Sequence, residues 1–198
     1  MLALHASMKS ATILLTALSL TLLSACRTGT DAKVQQAVAE TSMASSSGGM
    51  NTILDADSGA VARTINDGEI QMAQLAVSNA SSEEVRNYAQ MMITDHTSAN
   101  SMLQSAGYAT RENPITQTLN MEVNRQMAML RGKSGADFDR AYIGSQVLMH
   151  QTALETMRTT LMPSAQEGRL KQTLGTMRQS VEMHLEHARM LQGQMDNK

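Results

Sequence analysis

Four polar side chains stand where helical periodicity calls for apolar ones. Glu69 falls in the run Val61, Ile65, Glu69, Met72, Ala76, and His96 in Val85, Ala89, Met92, His96, Ala99, Leu103. His150 lies in Ile143, Val147, His150, Leu154, Met157, Leu161, and His184 in Leu170, Leu174, Met177, Val181, His184, Ala188, Leu191, Met195. Steps of three and four residues keep each run on one face of a helix. A buried polar group without a partner costs about 1–3 kcal/mol, and more if charged. Four such groups in one small core must therefore compensate one another, either by mutual hydrogen bonds or around a metal ion. A carboxylate with three imidazoles suits a transition metal, which makes Glu69, His96, His150 and His184 the candidate ligands. Asp95, adjacent to His96, is the candidate for orienting that imidazole from outside the coordination sphere.

A second constellation occupies the last of these runs. Met183, His187 and Met190 follow i, i+4, i+7 and share one face beside His184. Thioethers with an imidazole suit Cu(I), so a Met/His copper site is an alternative. Methionine also fills gaps where aromatics are scarce. With 18 Met and only 2% aromatic residues, Met72, Met92, Met157 and Met177 read as packing.

Other chemistry lacks its residues. A ferritin-type di-iron oxidase needs Glu-x-x-His on two helices, but the residues three positions before His96, His150, His184 and His187 are Ile93, Val147, Val181 and His184. The single cysteine, Cys26, excludes a disulfide scaffold and a paired-thiol redox site. No Gly-x-Ser-x-Gly and no Gly-rich phosphate loop occurs. A formal charge of −2 without runs of like charge leaves no footprint for nucleic acid. The sequence names no reaction, and the expected role is a binding one rather than an enzymatic one.

The elements that must position these residues are all helical, because no window alternates with period two and strand-like β-branched and aromatic runs are missing. The first helix is expected from about Asp55 to Asn79. Ser81-Ser82-Glu83-Glu84 reads as a turn with a capping box, opening a second helix that Gly107 ends. A shorter helix follows Asn113-Pro114, from about Ile115 to Leu130, and is closed by Gly132. Ser134-Gly135-Ala136-Asp137 caps a fourth helix. Pro163-Ser164 breaks the chain, and Ser164 with Glu167 reads as a capping box for the last helix. Short connections make neighbours antiparallel, giving an up-down four-helix bundle with an extra short helix in the middle crossover.

At 1.5 Å per residue, Glu69 and His96 lie roughly 17 and 22 Å below their shared turn, near one level. His150 lies roughly 18 Å from the Pro163 turn, and His184 roughly 30 Å if its helix starts at Ser164 or roughly 23 Å if it starts near Arg169. The second pair therefore meets only if the connecting loop is long.

Ahead of these helices lies an address segment. Lys9 supplies its positive region, and Ala11 to Leu23 form an apolar stretch too short to span a bilayer comfortably. The stretch closes on Leu23-Ser24-Ala25-Cys26. Small residues before a lone cysteine mark a lipoprotein signal peptide over residues 1–25, with Cys26 acylated as the mature N-terminus; Met1 and Met8 are alternative starts. Arg27 favours the outer membrane, facing the periplasm. Residues 26–51, with Ser45-Ser46-Ser47-Gly48-Gly49, cannot bury enough to offset their ordering entropy and read as a flexible tether reaching roughly 25–30 Å. Residues 52–198 then form the helical domain, attached to a membrane through its lipid, with a protein partner or a second copy as further expected contacts.

Several of these elements together resemble a known family. They are Glu69, the run Met92-Ile-Thr-Asp95-His96-Thr-Ser-Ala99-Asn100, the run Gly135-Ala-Asp-Phe138-Asp139-Arg-Ala-Tyr142, His150, and His184-Leu185-Glu-His-Ala188. Over roughly residues 55–192 the chain resembles an exported bacterial family, domain of unknown function 4142, often labelled outer membrane protein. The resemblance implies a ferritin-like bundle, frequently lipidated, with no settled activity. It implies recurrent polar positions at Glu69, Asp95, His96, Asp139, His150 and His184. Two departures stand out, since Met149 replaces an Asp usual before the third-helix His and Gln179 replaces a proline of the last helix. The expected function is an envelope protein that binds a metal ion or a partner through its polar core, in a stress-related role. The alternative is a structural or adaptor bundle whose polar core residues bond only to each other.

Overall fold

In the computed structural model, which describes residues 55–197, every regular element is helical. The export segment 1–25, Cys26 and the tether 26–51 lie outside the described residues. Five long helices follow in order among the described residues: α1 (Asp55–Asn79), α2 (Glu83–Ser105), α3 (Pro114–Arg131), α4 (Gly135–Thr156) and α5 (Gly168–Asp196). Among the described residues no helix is long and apolar enough to cross a membrane.

Local chemistry explains most boundaries. Ser82 caps α2 by accepting from Val85 N at 3.4 Å. The expected capping box does not close there, because Ser82 is the cap and the third helical residue is then Val85, which has no side-chain acceptor, while Glu84 accepts from the Ser82 hydroxyl. α2 ends in a Schellman motif: Tyr108 N donates to Leu103 O and Gly107 N to Gln104 O, with Gly107 at φ 91°. Asn113 and Thr116 form a reciprocal capping box ahead of α3, with Pro114 in its first turn. Ser134 holds the cap position of α4, but its side chain makes no capping bond.

The α4–α5 connection departs furthest from expectation. Beyond Thr156 the chain widens into a π-helical segment, Met157–Leu161, followed by a short turn, Met162–Ser164. Ser164 closes that turn, and α5 starts only at Gly168. No Ser164–Glu167 capping box forms. The Asp55 carboxylate, from the start of α1, instead accepts from the Gln166 and Glu167 amides at 2.8 and 2.7 Å. The late start shortens the run from helix start to His184 to about 24 Å, against about 21 Å from His150 to Ser164, and levels the two histidines.

α1 packs chiefly on α2 and α4 chiefly on α5, while α2 also meets α5 and α3 lies along α1. The side chains inside divide into two apolar groups. One contains Met72, Tyr88, Met92, Tyr142 and Leu191. The other contains Val61, Leu103, Leu161, Leu174 and Val181. Along α1, α2, α4 and α5 the sequence passes from one group to the other through polar residues at Asn66 and Glu69, at His96 and Asn100, at Gln146 and His150, and at His184. The core therefore has a polar waist, to which each of these helices contributes.

Candidate metal centre

His96 from α2, His150 from α4 and His184 from α5 meet in that waist, all at least 95% buried. Their ring centroids are 6.1 Å apart for His96–His150, 5.3 Å for His96–His184 and 5.4 Å for His150–His184. One nitrogen from each ring lies within 4.8 Å of the others.

Each imidazole spends one nitrogen on an oxygen outside the cluster. His96 Nδ1 is 2.9 Å from Asn66 Oδ1. Asn66 Nδ2 donates to Asn100 Oδ1, and Asn100 Nδ2 donates to Asp67 Oδ1 at 2.6 Å. Because this amide chain ends on a carboxylate, Asn66 Oδ1 is left to accept, and His96 carries its hydrogen on Nδ1. His150 Nδ1 is 2.9 Å from the Gln146 carbonyl, which can only accept. His184 Nε2 is 2.8 Å from Asp95 Oδ2, again an acceptor. In all three rings the second nitrogen, Nε2 of His96 and His150 and Nδ1 of His184, is buried and has no hydrogen-bond partner among the described residues.

Electrostatics keeps the second nitrogens of His96 and His150 unprotonated. Burial, with His150 and His184 alongside, holds the His96 pKa well below its ordinary value. Burial, and then His184, pushes His150 down to about 3, against the opposing bond to the Gln146 carbonyl. Two of the three rings thus present bare lone pairs at neutral pH. Anchoring one ring nitrogen so that the other is left free is how metal-binding histidines are oriented.

Glu69 lies beside the trio. Its Oε2 accepts from Gln146 Nε2 at 2.9 Å, and its Oε1 is 3.9 Å from His150 Nδ1, the nitrogen already engaged with Gln146. Burial raises its pKa to about 7, with the Gln146 bond opposing the rise. Asp95 bonds to His184 rather than to the adjacent His96, and its side chain is 39% exposed. Asn66 takes the position on His96 that Asp95 was expected to hold. Asn66, Asn100 and Gln146, absent from the expected set, each sit one turn from a member of it: three before Glu69, four after His96 and four before His150.

The remaining candidates lie apart from the trio. Met183 and Met190 are 60% and 52% exposed. His187 is half-buried and packs edge-on against Tyr88 at 5.2 Å. Asp139 serves the frame. Its buried carboxylate accepts from Ser81 N at 2.9 Å, Ser81 Oγ at 2.5 Å and Ser82 N at 2.8 Å, tying the start of α4 to the α1–α2 turn.

The family model described as domain of unknown function (DUF4142) matches residues 38–191. No curated protein and no solved structure matches the chain.

Proposed function

The chain belongs to that family, whose description assigns no chemistry, and from its own buried residues we propose that it binds one divalent transition metal ion, of the zinc type, through His96, His150 and His184. The observation that carries this reading is a buried cluster of three imidazoles, each bringing one nitrogen within 4.8 Å of the others and each keeping one buried nitrogen without a partner among the described residues. Unpartnered, they cost roughly 3–9 kcal/mol together at about 1–3 kcal/mol each, a large fraction of the roughly 5–15 kcal/mol by which domains are stable. A cation accepted by all three lone pairs removes that cost. A core satisfied by its own hydrogen bonds, as an adaptor module would have, leaves these three nitrogens unexplained.

The ring spacing fits such an ion. Zn–N bonds of about 2.0–2.1 Å, plus roughly 1.2 Å from nitrogen to ring centre, put centroids about 5.2–5.7 Å apart, from a tetrahedral to a trigonal ion. Two of the spacings, 5.3 and 5.4 Å, fall in that range, and the third is 6.1 Å. The frame we propose is a ferritin-like four-helix bundle of α1, α2, α4 and α5, with α3 in the crossover. We propose further that Cys26 carries a lipid and that the domain works in the cell envelope, at the outer membrane on its periplasmic side.

The test uses the mature chain, purified without an affinity tag, stripped with chelator and reloaded. Elemental analysis should find one Zn²⁺ per chain. At a hundredfold excess over Kd the ion should add about 2.7 kcal/mol, a melting shift of roughly 5–10 °C for a chain of this size. His150→Gln and His184→Gln should each abolish uptake, with helicity by circular dichroism showing that the variants fold. Absence of both stoichiometric metal and a melting shift overturns the reading.

A further inference from the structure

Beside the trio lies a small cavity, with room of about 20 Å³ for the centres of water molecules. Glu69, His96 and His150 line it, together with the apolar Met157, Leu161 and Met177. Room of about 10–15 Å³ on this measure holds one water, so the space suits one water or a ligand of two or three atoms and excludes an organic ring. Met157 and Leu161 both belong to the π-helical segment. A single π turn in an otherwise α-helical run is often found at functional sites, and here it supplies two residues of the cavity wall.

Three protein ligands also leave a zinc-type ion one short of tetrahedral, and an ion with that open position exchanges its fourth ligand, as structural zinc sites with four protein ligands do not. Glu69 is a rival for the position, but its carboxylate is held by Gln146 and approaches His150 on the nitrogen already engaged with the Gln146 carbonyl. We infer that the metal centre is an open one, whose fourth position faces this cavity and takes a small exogenous ligand, water at rest and a linear anion of two or three atoms in its place. The inference rests on the metal reading above. The exchange breaks one metal–oxygen bond, forms one bond to the anion and transfers no electron.

The test loads the protein with Co²⁺, whose visible bands report its coordination. Elemental analysis comes first. If no Co²⁺ is held, the metal reading fails and this inference fails with it. With Co²⁺ bound, added azide should shift the visible bands and saturate at one anion per ion, while imidazole leaves them unchanged. Leu161→Ala, or the milder Val181→Ala in the same cavity wall, should open the space so that imidazole shifts the bands as well. Stoichiometric Co²⁺ with bands indifferent to azide would mean that the protein fills the fourth position itself, and would overturn the inference while leaving the metal reading intact. So would imidazole matching azide in the unaltered protein.

Discussion

Removing the Asp139 carboxylate strands the Ser81 and Ser82 amides it now accepts from. A hydrogen bond to a charged group contributes about 1.5–3 kcal/mol, and water compensates part of the loss at the exposed Ser81 and half-buried Ser82, so Asp139→Ala should lower stability in urea melts by about 1–3 kcal/mol. Metal stoichiometry should stay unchanged, because the residue touches no imidazole. Asp95→Asn should do the reverse. The amide keeps an acceptor for His184 Nε2, so the fold persists, but the anionic partner that makes the imidazole a better donor to the ion is gone. Such changes typically cost 10–100-fold in metal affinity, measurable by competition with a chelating dye. At this scale the histidines were legible because an imidazole on an apolar stripe is an anomaly that periodicity exposes. The partner of Asp95 was not, because neighbours at i and i+1 point about 100° apart round a helix and do not face each other. Asp95 therefore reaches across to α5. Asn66, Asn100 and Gln146 carried a signal, since each lies one turn from a candidate on the same stripe, but a neutral amide stands out less than a charged or imidazole side chain.

Between elements, the approach of α3 to α1 depends on Gly68. A Cβ there would come within 2.4 Å of Val123 Cγ2. Gly68→Ala should push the helices apart and cost about 1–3 kcal/mol, the usual price of overpacking, read as a lower melting temperature with metal uptake retained. The exposed methionines of α5 give a contrasting test. Met183→Leu combined with Met190→Leu should leave Zn²⁺ stoichiometry and the metal-dependent melting shift unchanged, since neither side chain belongs to the buried set. Loss of metal in that double variant would favour the Met/His copper site. The run from Leu170 to Met195 made α5 legible in the sequence, and the expected span of α1 matches the observed one. The start of α5 was not legible. Ser164 and Glu167 have the residue types of a capping box, but an Asp55 carboxylate from the other end of the domain takes the free amides first. Long-range capping of this kind leaves no local mark.

At the scale of the whole molecule, the polar waist makes stability depend on pH in a way that apolar helices alone would not. His96 and His150 are held neutral by burial, His150 down to about 3. Below their ordinary value of about 6.5 the unfolded chain binds protons that the folded chain refuses, and their contribution is lost as pH falls. Glu69 works the other way. Its folded pKa of about 7 lies above the ordinary 4.5, so it favours the folded state at low pH, and that contribution fades as pH rises through 7. Between 4.5 and 6.5 two imidazoles outweigh one carboxyl. Metal-free protein should therefore lose stability on acidification through this window, and more steeply below 4.5, where Glu69 no longer offsets the loss. Glu69→Gln removes the offset. Its urea midpoints should fall more steeply than those of the unaltered chain between pH 6.5 and 4.5, and in parallel with them below. Parallel curves throughout would mean that Glu69 ionises in the folded protein as it does in water, and that the waist admits more solvent than its packing suggests.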